Sequence, residues 1–199
     1  MAWDTERTKQ LLLDAATEEF STYGLAGARI DRIAEKAGVN KERIYQYYGK
    51  KSEFFGLVLE AQLAAVMNSV SLTGVGVEAV IDYAGRCFDY QAQHPELARL
   101  TFWEGLECDQ PTALDYRSAG ANNKVARLRT ALPQLSDDDA RELLITILML
   151  CDGWQVFHNM DRVYTSTVNR DADRNARRRA SVLHTIEAHT RGLLATAAV

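Results

Sequence analysis

An all-α fold follows from three properties of this sequence. Prolines number only three in 199 residues, and the helix formers Ala, Leu, Glu and Arg are abundant along the chain. No stretch alternates apolar and polar residues with the Val, Ile and Thr enrichment of a strand. The apolar share of 47% suffices for a buried core and argues against global disorder. The length admits one large domain or a small one joined to a larger one.

The elements can be placed in order. A first helix is expected from about Asp4 to Thr22, with Leu12, Ala16 and Phe20 at i, i+4 and i+8 and Leu13 and Ala15 beside them. Gly24 ends it, since glycine tolerates the left-handed conformation there. A second helix covers about Ile30 to Ala37, with Ile30, Ile33, Ala34 and Ala37 on its inner face, and Gly38 stops it. Asn40 is a good N-cap for a third helix running to about Tyr47. Ile44 and Tyr48 turn inward there, which leaves Lys41, Glu42, Arg43, Tyr45, Gln46 and Tyr47 to point elsewhere. Gly49 breaks the chain before a fourth helix that reaches about Val70, with Phe54, Leu57, Val58, Ala61, Ala65 and Met67 along it. The segment Ser71–Gly76, with two glycines, separates this connector from the rest. Further helices are expected at Val77–Gln93, Pro95–Glu107, Thr112–Ala131, Asp137–Met160 and Asp171–Thr196. The breaks fall at His94-Pro95, Asp109-Gln110-Pro111, Pro133 and the polar stretch Asp161–Arg170. Pro95 and Pro111 sit where helices begin, and Ser136 before Asp137, Asp138 and Asp139 caps and charges a helix start. This divides the chain into a three-helix N-terminal domain, residues 1–50, and a larger helical domain, residues 51–199, with helix 51–70 connecting the two.

Charge is unevenly placed. The whole chain carries −4, yet Arg29 to Lys51 holds seven bases against three acids, a local +4 that leaves about −8 elsewhere. A basic module on an acidic body suits a polyanion bound at one end only. Cys87, Cys108 and Cys151 are widely spaced without a CxxC, which points to free thiols in a reducing compartment rather than to disulfides or a metal site. The N-terminus, MAWDTERTKQ, is polar and charged, unlike a secretory signal. The most apolar run, Leu143 to Phe157, contains Asp152 and falls short of the roughly 20 residues of a membrane span. The expected setting is cytoplasmic, with no membrane partner and no cofactor.

The pattern from Leu11 to Phe55 is that of a helix-turn-helix with groove-capable side chains on its second helix. It resembles the DNA-binding domain of the tetracycline-repressor (TetR) family. The matching residues are Ala15-Ala16 with Phe20, Gly24, Ile33-Ala34, Ala37-Gly38-Val39, Ile44-Tyr45, Tyr47-Tyr48, and Lys51 followed by Phe54. They cover about the first quarter of the chain. An α-helix fits the B-DNA major groove, where base identity is exposed. Lys41 and Arg43 suit guanine, Gln46 suits adenine, and the resemblance puts Tyr45 and Tyr47 at phosphates and thymine methyls. Arg29, Asn40, Lys50 and Lys51 complete the candidate DNA-binding set. Lys51 joins a cation to the fourth helix's N-terminus as a phosphate clamp. Two positions depart from the family pattern. Ala28-Arg29 and Lys50 stand where Ser or Thr often caps a helix, which trades a cap for charge.

The resemblance further implies a helical domain that binds a small molecule and dimerises. Candidate ligand-binding residues are Phe88, Phe102, Trp103, Glu104, Tyr116 and Phe157, with His158 behind them. These types match the mostly apolar lining of ligand sites. Candidate dimer residues are Leu143, Ile147, Leu150 and Trp154 in one long helix and Val182, Ile186, His189 and Leu193 in the last, a pairing that can build a four-helix interface. The alternative is that these faces pack inside one subunit. The function expected is a ligand-responsive DNA-binding repressor that binds a near-palindromic operator as a homodimer. The alternatives are control by a protein partner, action as an activator, and an α-helical enzyme using Glu104 and His158. The last lacks any nucleophile–base, metal-ligand or phosphate-loop motif.

Overall fold

A computed structural model describes residues 2–166 and 170–197, with side chains from residue 5 onward. Ten helices and no strand are found among the described residues. They are α1 (Ala2–Gly27), α2 (Ile30–Ala37), α3 (Lys41–Tyr48), α4 (Lys51–Ser69), α5 (Gly76–Gln93), α6 (Pro95–Glu107), α7 (Leu114–Ala131), α8 (Asp137–Val156), α9 (His158–Thr165) and α10 (Ala172–Ala197). No single helix among them is long and apolar enough to cross a membrane. The chain forms two compact units. One comprises residues 1–65 and 96–117, the other residues 66–95 and 118–199.

In the first unit the apolar stripe of α1 meets α2, α3 and α4. Phe20 is fully buried and meets the rings of Phe54 and Phe55 edge-on, at 5.9 and 5.3 Å between centroids. Tyr48 stacks on Phe54 at 4.2 Å, and its hydroxyl donates to the Lys9 carbonyl at 2.8 Å. Such aromatic pairs add to the burial of the rings themselves. Gly24 interrupts α1 with φ +70° and ψ −178°, and one more helical turn follows before α2. The unit also contains α6. Its Arg99 and Trp103 both donate to the Ser21 carbonyl, at 2.7 and 3.2 Å, and its Glu107 carboxylate accepts the N–H groups of Leu25 and Ala26, at 2.5 and 3.0 Å.

In the second unit α5, α7, α8 and α10 enclose a core that includes Val80, Phe88, Leu128, Leu143, Ile147, Val182 and Ile186. Ser136 caps α8 by accepting the Asp139 N–H at 3.0 Å. Pro133 and the turn through Leu135 precede that cap, as the sequence suggests.

The boundary after α8 differs most from expectation. Asp137–Met160 was expected as a single helix, with a polar break from Asp161 to Arg170. The chain instead leaves the α-helix at Phe157, with φ −88° and ψ 44°, and turns by 78° into α9. The cause is Asp161, which is buried between Arg170 and Arg174. Continuing α8 straight would carry that carboxylate away from both guanidiniums. Residues 167–169 of the expected break lie outside the described residues.

Candidate nucleic-acid interface

The turn between α2 and α3 is built by Gly38, which ends α2 at φ +64°, ψ +32°. Its N–H reaches the Glu35 carbonyl at 3.1 Å, and the Val39 N–H reaches Ala34 at 3.0 Å. These bonds satisfy the last carbonyls of α2. Asn40 then caps α3, its side-chain oxygen accepting the Glu42 N–H at 3.2 Å. Ile44 and Tyr48, 0% and 8% exposed, hold α3 against the core. Burial pushes the Tyr48 phenol up to about 12, so it stays a neutral donor. With that face fixed, Lys41, Glu42, Arg43, Tyr45 and Gln46 are exposed, and Tyr47 is half-buried. Arg43 approaches the Tyr47 hydroxyl at 3.4 Å, and the Lys9 ammonium lies 5.9 Å from the Tyr47 ring centre.

The two positions without a Ser or Thr cap are served by carboxylates. At α2 the Arg29 side chain makes no cap bond. Its backbone N–H instead donates to Glu19 of α1 at 2.7 Å. Glu19 is 8% exposed and also accepts from Arg32, at 2.6 and 2.8 Å, which raises the Arg32 guanidinium above its ordinary value. At α4 the Lys50 N–H donates to Glu53 at 2.7 Å. Both Arg29 and Lys50 thereby keep their side chains exposed. Glu19 was not singled out from the sequence; a glutamate on an amphipathic helix reads as solvent-facing.

Two of the expected DNA cations are engaged within the protein. Lys41 pairs with Asp31 of α2 at 3.1 Å, and this bond raises its ammonium above the ordinary value. Lys51 is half-buried and donates to the carbonyls of Ala26 and Ala28, at 3.3 and 3.1 Å. It therefore ties the end of α1 to the start of α4, and two of its three donors are committed there. Arg29, Arg43 and Lys50 carry no ion pair among the described residues.

The candidate ligand-binding residues fall in both units. Phe88 is 2% exposed in the core of the second unit, whereas Phe102, Trp103, Glu104 and Tyr116 belong to the first unit. Two of these four are committed to holding structure together. Trp103 donates to the Ser21 carbonyl. Glu104 is buried, accepts from Thr112 N–H and hydroxyl at 2.7 and 2.6 Å, and pairs with Arg117 at 2.5 Å. Phe157 lines a surface groove of the second unit, of about 360 Å³, shared with Met149, Leu150, Met160 and Tyr164. His158 is exposed.

Most of the candidate dimer residues are buried within one subunit. Leu143, Ile147, Val182 and Ile186 are 0–1% exposed and Trp154 is 6% exposed within one subunit. Their surface is already used by their own core. Leu150, His189 and Leu193 retain surface.

Comparison with known proteins is consistent with this geometry. The family "Bacterial regulatory proteins, tetR family" matches residues 12–58, and the "Tetracyclin repressor-like, C-terminal domain" matches residues 80–187. The HTH-type transcriptional repressor SCO4008 of Streptomyces coelicolor is 50% identical over 106 residues, 53% of this chain and 54% of that protein. The repressor NicS of Pseudomonas putida is 30% identical over 109 residues, 53% of this chain and 51% of NicS. The chain thus spans about half the length of these curated relatives. Among solved structures, a protein described as a transcriptional regulator, SCO4942 of Streptomyces coelicolor, is 28% identical with a TM-score of 0.72, covering 91% of this chain and 97% of that one. The helix-turn-helix at the N-terminus and the C-terminal match over more than half the chain together show that this protein belongs to the tetR family of bacterial regulatory proteins.

Proposed function

We propose that the protein is a homodimeric transcriptional repressor, released from a near-palindromic double-stranded DNA operator by a small-molecule effector. The observation that carries this reading is the outward face of α3, with Lys41, Arg43, Tyr45 and Gln46 exposed on a helix whose other face is fixed by Ile44 and Tyr48. In a major groove Arg43 and Lys41 donate to guanine O6 and N7, and Gln46 pairs with adenine. Tyr45 and Tyr47 meet phosphate and thymine methyl. Arg29 and Lys50 flank the helix as phosphate contacts that set register, while Asn40 and Lys51 act by fixing the backbone around it. Repression rather than activation is favoured by the names of the curated relatives SCO4008 and NicS. Residues 1–50 read DNA and residues 51–199 serve ligand binding and dimerisation, with α4 connecting them. A reader of the bacterial chromosome works in the cytoplasm.

The dimer seam lies on the outward faces of α8 and α10. Ile145 and Met149 stand out from α8, 53% and 60% exposed. The exposed face of α10 carries Ala180, Ser181, Thr185 and Ala188 beside His184 and His189, small residues that let a second helix approach closely. A two-fold seam of this kind sets two α3 helices about 34 Å apart, one turn of DNA, which is why the operator is near-palindromic.

Operator DNA selected from a random library tests the reading. Lys41→Ala with Arg43→Ala is expected to weaken binding at fixed salt by about tenfold or more, since each good base contact contributes about 1–3 kcal/mol. Unchanged affinity of the doubly substituted protein rejects α3 as the reading helix.

A further inference from the structure

The second unit gathers polar side chains at one place in an otherwise apolar core. On α5, Tyr83, Cys87 and Gln91 follow at i, i+4 and i+8; α8 contributes Asp152 and Gln155, and α7 contributes Lys124. Gln91 is 4% exposed. Its Oε1 has no hydrogen-bond partner among the described residues. Asp152 Oδ1 and Gln155 Nε2 are likewise buried without a partner. The half-buried Lys124 faces both Asp152 and Cys87, but the lone Oδ1 shows that it does not close a bond to that oxygen. Lys124 also lines a cavity of about 80 Å³ with Met67, Leu72 and Tyr83. Burial lowers the Lys124 ammonium and pushes the Asp152 carboxyl up to about 7, against the pull of Lys124 and Gln91.

Packing alone does not account for such a cluster. An unpaired buried donor or acceptor costs more than a made bond returns, and apolar residues of the same volume pack a core as well or better. The open positions are complementary in kind. Gln91 Oε1 and Asp152 Oδ1 each ask for a donor, while Gln155 Nε2 and the Lys124 ammonium ask for an acceptor. A simple cation is opposed by Lys124, and a simple anion by Asp152. On the ligand-responsive reading given above, we propose that this cluster is the effector site. Its ligand is a small molecule with N–H donors at one end and a carboxylate or carbonyl acceptor at the other. The donor end meets Asp152 and Gln91, and the acceptor end meets Lys124 and Gln155. The adjoining cavity of about 80 Å³, where Met67, Leu72 and Tyr83 stand beside Ser71, Asn123 and Arg127, suits only a short body of mixed polarity.

Thermal shift and calorimetry on the full chain, without DNA, test the site directly. One arm uses the twenty amino acids, which are zwitterions. A second uses 2-pyrrolidone, hydantoin and urea, which join N–H to carbonyl without net charge. Methylamine and acetate, each half of the pattern, serve as controls. At least one member of the first two arms is expected to raise the melting temperature where neither control does, and the responding arm tells zwitterion from amide. Asp152→Asn and Lys124→Met are each expected to weaken that binding at least tenfold. Asn has the shape of Asp, and each variant's shift is read against its own unliganded melt at the same pH, so a folded Asp152→Asn protein keeps this comparison valid. The proposal is overturned if no probe of either arm binds, if a control matches them, or if both variants bind as tightly as the wild type. The polar groups then hold water alone. Operator binding is measured separately without probes. Failure of the wild type to select any operator rejects the repressor reading and leaves the probe-binding result standing on its own.

Discussion

Glu19 shows how one residue supports the reading face. Its carboxylate holds the Arg29 N–H and the Arg32 guanidinium from inside the unit, replacing the cap that the sequence lacks at α2. Glu19→Ala leaves those donors without their anion. Denaturation should show a loss of about 2–3 kcal/mol, the scale of hydrogen bonds to a charged group. An unchanged midpoint would mean that water replaces the carboxylate. Which side of α3 faces out was legible in the sequence, because Ile44 and Tyr48 at i and i+4 settle it. Glu19 was not, because its partners come from a segment ten and thirteen residues further on, where only the folded chain brings them together. Asp152 carries a second residue-scale expectation. Its folded carboxyl titrates at about 7 instead of the usual 3.8, chiefly because it is buried. Between those values the folded state holds a proton that the unfolded chain has released, so its contribution to stability falls as pH rises and is gone above about pH 7. Lys124 on α7 and Cys87 on α5 face the same cluster. Asp152→Asn removes the titration. Its stability relative to the wild type should therefore grow from pH 4 to pH 8 by up to about 4 kcal/mol, at 1.36 kcal/mol per pKa unit. A difference flat in pH, followed by urea denaturation, would show the carboxyl to be solvated.

At the scale of elements, α1 and α6 are joined where α1 is interrupted. Gly24 has φ +70°, and a Cβ there would lie 2.7–2.8 Å from the Glu107 carboxylate and the Trp103 ring. Gly38 has a similar φ of +64°, but a Cβ there meets nothing within 4 Å. Alanine at Gly38 should therefore cost only the backbone penalty of about 1–2 kcal/mol. Alanine at Gly24 should cost clearly more, because Glu107 must also release the Leu25 and Ala26 N–H groups. Paired thermal melts of the two variants measure the difference, and equal losses would show that α6 yields without cost. The sequence marks both glycines as breaks but gives no sign of their unequal burdens, since the crowding at Gly24 comes from a helix some eighty residues away. The break at Phe157 was hidden for a related reason. The apolar pattern of α8 continues through it, and the turn is set by the buried Asp161 with two arginines of the following segment.

At the scale of the whole molecule, the seam proposed on α8 and α10 implies that the protein does not exist as a stable free subunit at working concentrations. Ile145→Asp with Met149→Asp puts charges on the α8 face without touching the buried side, so it should shift sedimentation toward monomer while retaining helical content. A variant that stays dimeric would move the seam elsewhere. Helical periodicity marks α8 as apolar on both Leu143–Ile147 and Ile145–Met149. Only tertiary packing decides that the first pair is consumed inside. On DNA, the pairing of Lys41 with Asp31 acquires a kinetic meaning. On the role proposed for α3, an exposed pair of this kind is weakly held, and Asp31 would yield the ammonium readily to a phosphate or a guanine and take it back when the protein moves on. In that role the cation would pass from hand to hand and never be left bare, which would favour rapid trial and rejection of wrong sites during the search for the right one.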